Sequence, residues 1–576
     1  MTLKYKQIGE YNGDIVRTIL NNRGIENIHL FLNPDNSSDT NPFAFKNMVQ
    51  GIQVLAAHLM TYSKMAVLVD SDADGFLSAS YIYQYLKSID PLYNIDFIIH
   101  DKKAHGLTED IMERISEKNY ELIIIPDAAS NDARELDILY GMGVEVIVLD
   151  HHLVEEMPES GIIINNQISE NVNTNLVGVG VVHKFCQAMD KALNTNRTEK
   201  LKDLVALGQI SDASDISENE VRNLVFDGIK NMENKFIKEA LKIKDIFQPV
   251  PKDLSFSVIP MINAVIRIGS MEEKEILFRA LNDINPEIFT VEKRKKNKET
   301  KKFDKIQVNL NLQQMAVDIA IKCKTRQDTA VKKAVAQIEE DIVSDGGIAI
   351  GVGKINDNHA SLTGLIATKM VNKLQKPVLI LRERDGKFSG SGRGYDPTMD
   401  SFKDWCQDTG LVEFAQGHDQ AFGIEIDKEK FDLFKTFRKK VEAREFIHEV
   451  DYVSRGVVDK EIIHELDRNK FIFGGKVHDS LFAYVGIDVE KKNIKQKGSM
   501  LTFYVDDVEF VMYGASQETA DKFTAGFAPQ LRLDFIGRPT INNWLGREAT
   551  QVVLEAVEFS NEEAFAEEIT IENIVF

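Results

Sequence analysis

Val67-Leu68-Val69-Asp70-Ser71-Asp72-Ala73-Asp74-Gly75 is an apolar run that ends in three aspartates at alternate positions and a glycine. Phe76-Leu77-Ser78-Ala79-Ser80-Tyr81-Ile82 comes next and reads as helix. Two like charges about 4 Å apart repel by roughly 4 kcal/mol at an effective dielectric near 20. Such a density of carboxylates makes sense around a multivalent cation, and hard divalent ions prefer oxygen ligands. A solvated acidic turn is the plain alternative. An EF-hand loop opens with the same pattern, but it needs a preceding helix and a bidentate Glu at its twelfth place. Here the twelfth place is Tyr81, and Met65-Ala66-Val67-Leu68-Val69 has the β-branched content of a buried strand.

Outward from this stretch, continuous apolar runs recur at 96–99, 121–126, 144–149 and 162–164, separated by helical patterns such as Ala133-Arg134-Glu135-Leu136-Asp137-Ile138-Leu139-Tyr140. Alternation of this kind indicates a parallel sheet covered on both faces, whose ligands bind beyond the carboxyl ends of the strands. The runs deliver Asp70, Asp127 and Asp150-His151-His152 to that one edge. A lone Asp after a strand is commonly a helix N-cap, and two histidines can be unrelated surface residues. Their coincidence at equivalent strand ends favours a metal or phosphate site, with one imidazole as ligand and its neighbour orienting or contacting phosphate. Leu204-Val205-Ala206-Leu207-Gly208-Gln209-Ile210-Ser211-Asp212 adds a helix ending in a further acid.

These four stretches resemble, in order, the motifs of the DHH phosphoesterase superfamily, and the three-aspartate form of the first is similar to the RecJ-like single-strand exonuclease branch. Arg23-Gly24-Ile25 with Phe31-Leu32-Asn33-Pro34, Asn175-Leu176-Val177-Gly178-Val179-Gly180 and Ile259-Pro260-Met261-Ile262-Asn263-Ala264-Val265-Ile266-Arg267 resemble further segments of that branch. The resemblance runs from about residue 15 to the C-terminus. It implies one or two Mn²⁺ or Mg²⁺ ions on Asp72, Asp74, Asp127, His151 and Asp212, with Asp70, Asp150 and His152 in or just behind the coordination shell. It implies hydrolysis of single-stranded DNA from 5′ to 3′, and a helicase or single-strand-binding protein as partner. Departures are Gln416, Ile266 and Met261 at places where the family has Gly, Gly and Arg. In addition, Lys102-Lys103-Ala104-His105-Gly106-Leu107 replaces an Arg-containing loop ending in Gly-Tyr-Gly-Leu. They bear on substrate grip and on preference for a 5′-phosphate. A phosphodiesterase of short oligonucleotides or cyclic dinucleotides and a catalytically dead replication scaffold are the competing readings.

The remaining chain divides by pattern. Residues 1–60 carry turn signals and are expected to be an N-terminal extension packed onto the neighbouring catalytic unit. The catalytic unit spans 61–235. Residues 236–345 read as a helical connector in which Arg267 is a candidate phosphate contact. A second α/β unit spans 346–447. In it Ser389-Gly390-Ser391-Gly392-Arg393-Gly394 reads as a flexible hairpin whose glycines let backbone amides approach phosphate. By resemblance to the DHH-associated domain, Ser391, Gly392, Arg393 and His418 grip the nucleic acid. Five strand-like runs within 448–576, with the turn Asn542-Asn543-Trp544-Leu545-Gly546, suggest a small β-barrel of OB type.

At 576 residues, with 43% hydrophobic and 28% charged content, the chain is long enough for three or four ordinary domains. No apolar run is long enough to cross a bilayer, the start lacks a signal-peptide core, and three scattered cysteines (Cys186, Cys323, Cys406) form no disulfide or zinc pattern. A reducing cytoplasm is expected. The net charge of −21 disfavours tight non-specific duplex binding, yet a nucleic-acid enzyme needs only a local basic track. The basic run from Lys293 through Lys305 reads as a solvated loop with an attraction for nucleic acid.

Overall fold

The computed structural model describes residues 3–559 apart from 297–302, 345–346, 354–356, 396–397, 438–446, 516, 525–528 and 545–546. Two compact units emerge. One joins residues 1–34 to 446–576, and the other is residues 35–445.

In the larger unit, five strands form a wholly parallel sheet: β1 (Met65–Val69), β2 (Ile95–Ile99), β3 (Leu122–Pro126), β4 (Glu145–Asp150) and β5 (Ile162–Asn165), in the order β2-β1-β3-β4-β5. Almost every residue of β1, β3 and β4 is buried, because helices cover both faces and leave no position for a polar side chain. The chain runs outward from β1 to β2 and then returns past β1 to β3. The sheet order therefore reverses between β1 and β3, and a crevice opens there at the carboxyl ends. Three helices close on it: α1 (Ala73–Ile89), α2 (Gly178–Leu193) and α3 (Lys202–Ser211). Their apolar faces share one core with β1, β3, β4 and β5.

The connector is helical as expected except in one place. The basic run sits on an antiparallel hairpin, Ile288–Lys296 with Phe303–Asn311, and not on a loop. Lys293 pairs with Asp318 of the helix that follows at 2.7 Å, and within the hairpin Lys305 pairs with Glu292 at 2.9 Å; its tip lies outside the described residues. The 30-residue helix Leu312–Asp341 leads on to a second sheet. There the strands Phe414–His418, Ala421–Asp427, Lys387–Arg393, Val378–Arg384 and Ala349–Val352 lie side by side in that order. The Gly-Ser-Gly-Arg stretch is thus an interior strand paired on both sides, which corrects the expectation of a flexible hairpin. Its glycines answer to packing: a Cβ on Gly390 would lie 2.0 Å from the Ile380 carbonyl oxygen, and one on Gly392 2.4 Å from the Phe422 ring.

The smaller unit also departs from expectation. Residues 3–34 belong to this unit. Tyr5–Gln7 pairs in parallel with His448–Val450, and the helix Ile15–Asn22 shares a core with the C-terminal strands. The expected strands are all present in a seven-stranded sheet. Its order is 452–455, 482–490, 530–544, 547–559, 508–512, 500–505 and 495–497. The pairing of 508–512 with 547–559 is parallel. No pairing among the described residues closes this sheet into a barrel. Leu545 and Gly546 of the expected turn lie outside the described residues, although Trp544 and Arg547 are the last backbone pair across it.

Candidate metal centre and nucleic-acid cleft

Asp72 is the N-cap of α1, its carboxylate accepting the Gly75 amide at 2.9 Å. That cap turns the first helical turn inward and places Asp74 in the crevice, 2% exposed. One Asp74 oxygen, Oδ1, accepts the Val179 amide at 3.2 Å at the start of α2; Oδ2 is buried with no hydrogen-bond donor. Burial, then Asp212 and Asp72, pushes this carboxyl well above the ordinary range.

Asp127, directly after β3, is not a helix cap; the next helix, Ala133–Gly141, is preceded at its cap position by Asp132. Asp127 has a left-handed backbone with φ of 63°, unusual outside glycine. Its carboxylate is buried, its Oδ1 lacks a donor, and burial together with Asp74 raises its pKa. Glycines make room for both acids. A Cβ on Gly178 would lie 2.3 Å from Asp127 Oδ1, and a Cβ on Gly208 2.6 Å from Asp74 Oδ1.

At the end of β4 the two histidines part. His151 Nε2 lies 3.2 Å from Asp127 Oδ1 and 3.6 Å from Asp212 Oδ2. Burial, then His152, lowers its pKa to about 4, so the imidazole is neutral near pH 7. His152 turns back: its Nδ1 meets Asp150 Oδ1 at 2.8 Å, and this hydrogen bond raises its pKa to about 9. Burial alone would raise Asp150, but His152 and Ser130 outweigh it and hold the carboxyl well below the ordinary range. Asp150 is fully occupied, also accepting the backbone amides of His151 at 2.7 Å and Ser130 at 3.3 Å. Asp212 ends α3; burial and Asp72 raise its pKa to about 6, while His152 and then His418 oppose the rise. His151 thus stands between Asp127 and Asp212, and Asp74 is close enough to both acids for each pair to shift in pKa.

This donor set fits a divalent cation. Asp74 Oδ2 and Asp127 Oδ1 are buried without donors, the latter 3.2 Å from the neutral His151 nitrogen, and Asp74 and Asp212 raise the pKa of neighbouring carboxyls; a cation would remove both penalties. Carboxylates with imidazole suit Mn²⁺ as well as Mg²⁺.

A cavity of about 1130 Å³ is lined by nine basic and three acidic side chains, and two of the cations, Lys103 and Arg267, are near enough to Asp72 for its charge to oppose the lowering of their pKa; it supplies the local positive track that the net charge concealed. Arg267, Ser391 and Arg393 all line it. The Ser391 and Thr363 hydroxyls are 2.8 Å apart. Burial, then Arg267, lowers the pKa of Arg393, and burial lowers that of Arg267 while Asp72 opposes. Closely set cations with this mutual repulsion suit a polyanion. Gly392 does not contribute a free amide: it pairs with Leu379 and Phe422 within the sheet, and the Phe422 ring fills its side-chain position.

Three residues escaped the sequence reading. Lys103 lines the cavity, His105 Nδ1 meets Asp70 Oδ2 at 2.5 Å, and the buried Lys274 ammonium holds the carbonyls of His100 and Asp101 at 3.0 and 2.6 Å. The loop's departure from the family pattern was visible, but nothing local indicated which of its side chains turn inward.

The DHH family, N-terminal domain, matches residues 64–209. A putative SPbeta prophage-derived single-strand DNA-specific exonuclease, YorK, of Bacillus subtilis (strain 168) is 33% identical over 580 aligned positions, spanning 96% of this chain and 98% of that protein. The single-stranded-DNA-specific exonuclease RecJ of the same strain is 23% identical over 579 positions, spanning 96% and 69%. Among solved structures, RecJ from Thermus thermophilus in complex with Mn²⁺ has the same fold, with a TM-score of 0.71 at 18% identity over 94% of this chain and 76% of that one.

Proposed function

The chain belongs to the DHH superfamily, in its RecJ-like branch, and from that membership we propose that it is a metal-dependent exonuclease that degrades single-stranded DNA from 5′ to 3′. One observation carries this reading: acids and an imidazole from four separate segments meet around donor-less carboxylate oxygens beside a basic cavity. Asp72, Asp74, Asp127, His151 and Asp212 would hold one or two Mn²⁺ or Mg²⁺ ions. Such ions supply Lewis acidity toward a phosphate oxygen and allow water to be deprotonated near neutral pH. Asp150 holds His152 beside this centre as a cation that contacts phosphate or its leaving oxygen. Arg267, Ser391 and Arg393 position the strand through its phosphates, and His418, near enough to Asp212 to lower its pKa, contacts it as well.

We assign catalysis to 61–235, a connector to 236–345, substrate binding to 346–447 and an OB-type sheet to 448–576, with residues 3–34 completing the last. The parallel pairing of 508–512 with 547–559, flanked by the antiparallel pairs of 500–505 with 508–512 and 530–544 with 547–559, supports the OB assignment. Single-strand-binding protein or a helicase is the expected partner, in the cytoplasm. No described helix is long and apolar enough to cross a membrane.

The test is digestion of end-labelled single and double strands with Mn²⁺ by the wild type and Asp74→Ala. Release of nucleotides from the 5′ end of single strands, abolished in the variant, is expected. Equal cleavage of duplex, or full activity in the variant, would overturn the reading.

A further inference from the structure

Asp70 does not take its place in the cluster of Asp74, Asp127, His151 and Asp212. Its Oδ2 meets His105 Nδ1 at 2.5 Å, and its Oδ1 accepts the Gly106 amide at 3.0 Å. Donor atoms of Asp70, Asp72 and His105 lie within 4.8 Å of one another. A second imidazole points at the same place. His100 is 3% exposed, its Nε2 is 3.8 Å from Asp70 Oδ1, and that nitrogen has no hydrogen-bond partner.

The loop that carries His105 is held by the fold. Ser71 Oγ donates to the Ala104 carbonyl and accepts the Ala104 amide at 2.9 Å. At the loop's base, the Lys274 ammonium binds the His100 and Asp101 carbonyls. The imidazole is therefore placed by buried anchors, although its own side chain is 54% exposed. It stands where the resembled family pattern has tyrosine before Gly-Leu. A neutral phenol, with an ordinary pKa near 10, is a poor ligand at pH 7, whereas neutral imidazole is among the commonest metal ligands.

We propose that His105 is a ligand of a second divalent cation, held with Asp70 and Asp72, so that each ion of the centre has its own imidazole: His151 for one and His105 for the other. This rests on the nuclease reading, and it adds a ligand that the family motifs do not include. Imidazole nitrogen at both ions favours Mn²⁺ over Mg²⁺.

The test uses the full-length, metal-stripped protein titrated with MnCl₂ by calorimetry, with pulsed EPR to count imidazole nitrogens coupled to Mn²⁺. The wild type is expected to bind two ions with two coupled imidazoles. In His105→Gln one ion should bind at least about tenfold more weakly, with one imidazole coupling lost. His105→Tyr should do the same, and it decides the matter if the glutamine variant does not fold. His105→Asp should restore the affinity without the nitrogen signal. Two tightly bound ions and both couplings in His105→Gln, with Asp74→Ala losing an ion, would overturn this assignment alone: Asp70 would then merely anchor the loop. Failure of the wild type to bind Mn²⁺ would overturn the nuclease reading as well.

Discussion

The Asp127 carboxylate occupies the place where Gly178 would carry a side chain. A Cβ there would meet Asp127 Oδ1, Cβ and Cγ at 2.3, 2.5 and 2.6 Å. The start of α2 and the end of β3 are therefore in contact through an acid, and the helix can approach the metal centre only because residue 178 has nothing to displace. Gly178→Ala should move Asp127 by about 1 Å and lower turnover about a hundredfold. Overpacking should cost about 1–3 kcal/mol of stability. Single-turnover cleavage and a thermal melt check both. Unchanged turnover would mean that the position of Asp127 does not matter.

The His152–Asp150 pair gives a pH-dependent stability. The His152 pKa rises from 6.5 to about 9 on folding, so its contribution is complete below pH 6.5 and is lost as pH rises through 9. Asp150 is shifted below its ordinary 3.8, so its contribution is present above that value and fades as pH falls below it. In metal-free protein, the melting-temperature gap between wild type and His152→Gln should be widest between pH 3.8 and 6.5 and should close above about pH 9. A gap independent of pH would show that the pair is not ionised.

Arg393 and Arg267 share the cavity wall without touching the cluster of acids. Losing one charge-assisted phosphate contact removes about 1.5–3 kcal/mol. Arg393→Gln should therefore raise KM for single strands by about ten- to a hundredfold, with a much smaller change in kcat. It should also lower the salt dependence of binding by about 0.7 in the logarithmic slope. An equal fall in kcat with KM unchanged would place Arg393 in the chemical step instead.

In the smaller unit, Arg23 grips Asp451 with both guanidinium nitrogens at 2.8 Å, and Asn22 adds a third donor at 3.0 Å. The Asp451 side chain is fully buried, so Arg23→Ala leaves a carboxylate whose charge has no cation and whose side-chain donor is the Asn22 amide. Destabilisation of about 3–5 kcal/mol is expected. Denaturant unfolding followed by hydrogen exchange of the backbone amides of 482–490 and 530–544 would measure it. A loss under about 1 kcal/mol would mean that the pair contributes little to joining the N-terminal segment to this unit.

The position of the metal centre was legible because strand burial and strand-end chemistry are both local. An apolar run without alternation must lie between two covered faces, and an acid at its end must lie at the sheet's edge. Asp70, Asp127 and Asp150 could be placed on that ground alone, and Asp212 by the helix it terminates. Which acid faces the shared centre was not legible from burial and periodicity and came only with the family resemblance: Asp74 and Asp127 carry oxygens without donors, whereas Asp150 accepts from His152 and Ser130, and Asp70 is turned to His105 and Gly106.

The sequence by itself determined the parallel sheet, the acids at its edge and the order of the motifs, since each depends on neighbours within a few residues. Only the tertiary structure decided that Gly390 and Gly392 stand in an interior strand, because the Ile380 carbonyl and the Phe422 ring that exclude their side chains come from adjacent strands. It alone decided that Tyr5–Gln7 pairs with His448–Val450, and that His105 reaches Asp70. Strand partners and loop anchors of this kind are supplied by distant chain, and a periodicity read over ten residues carries no information about them.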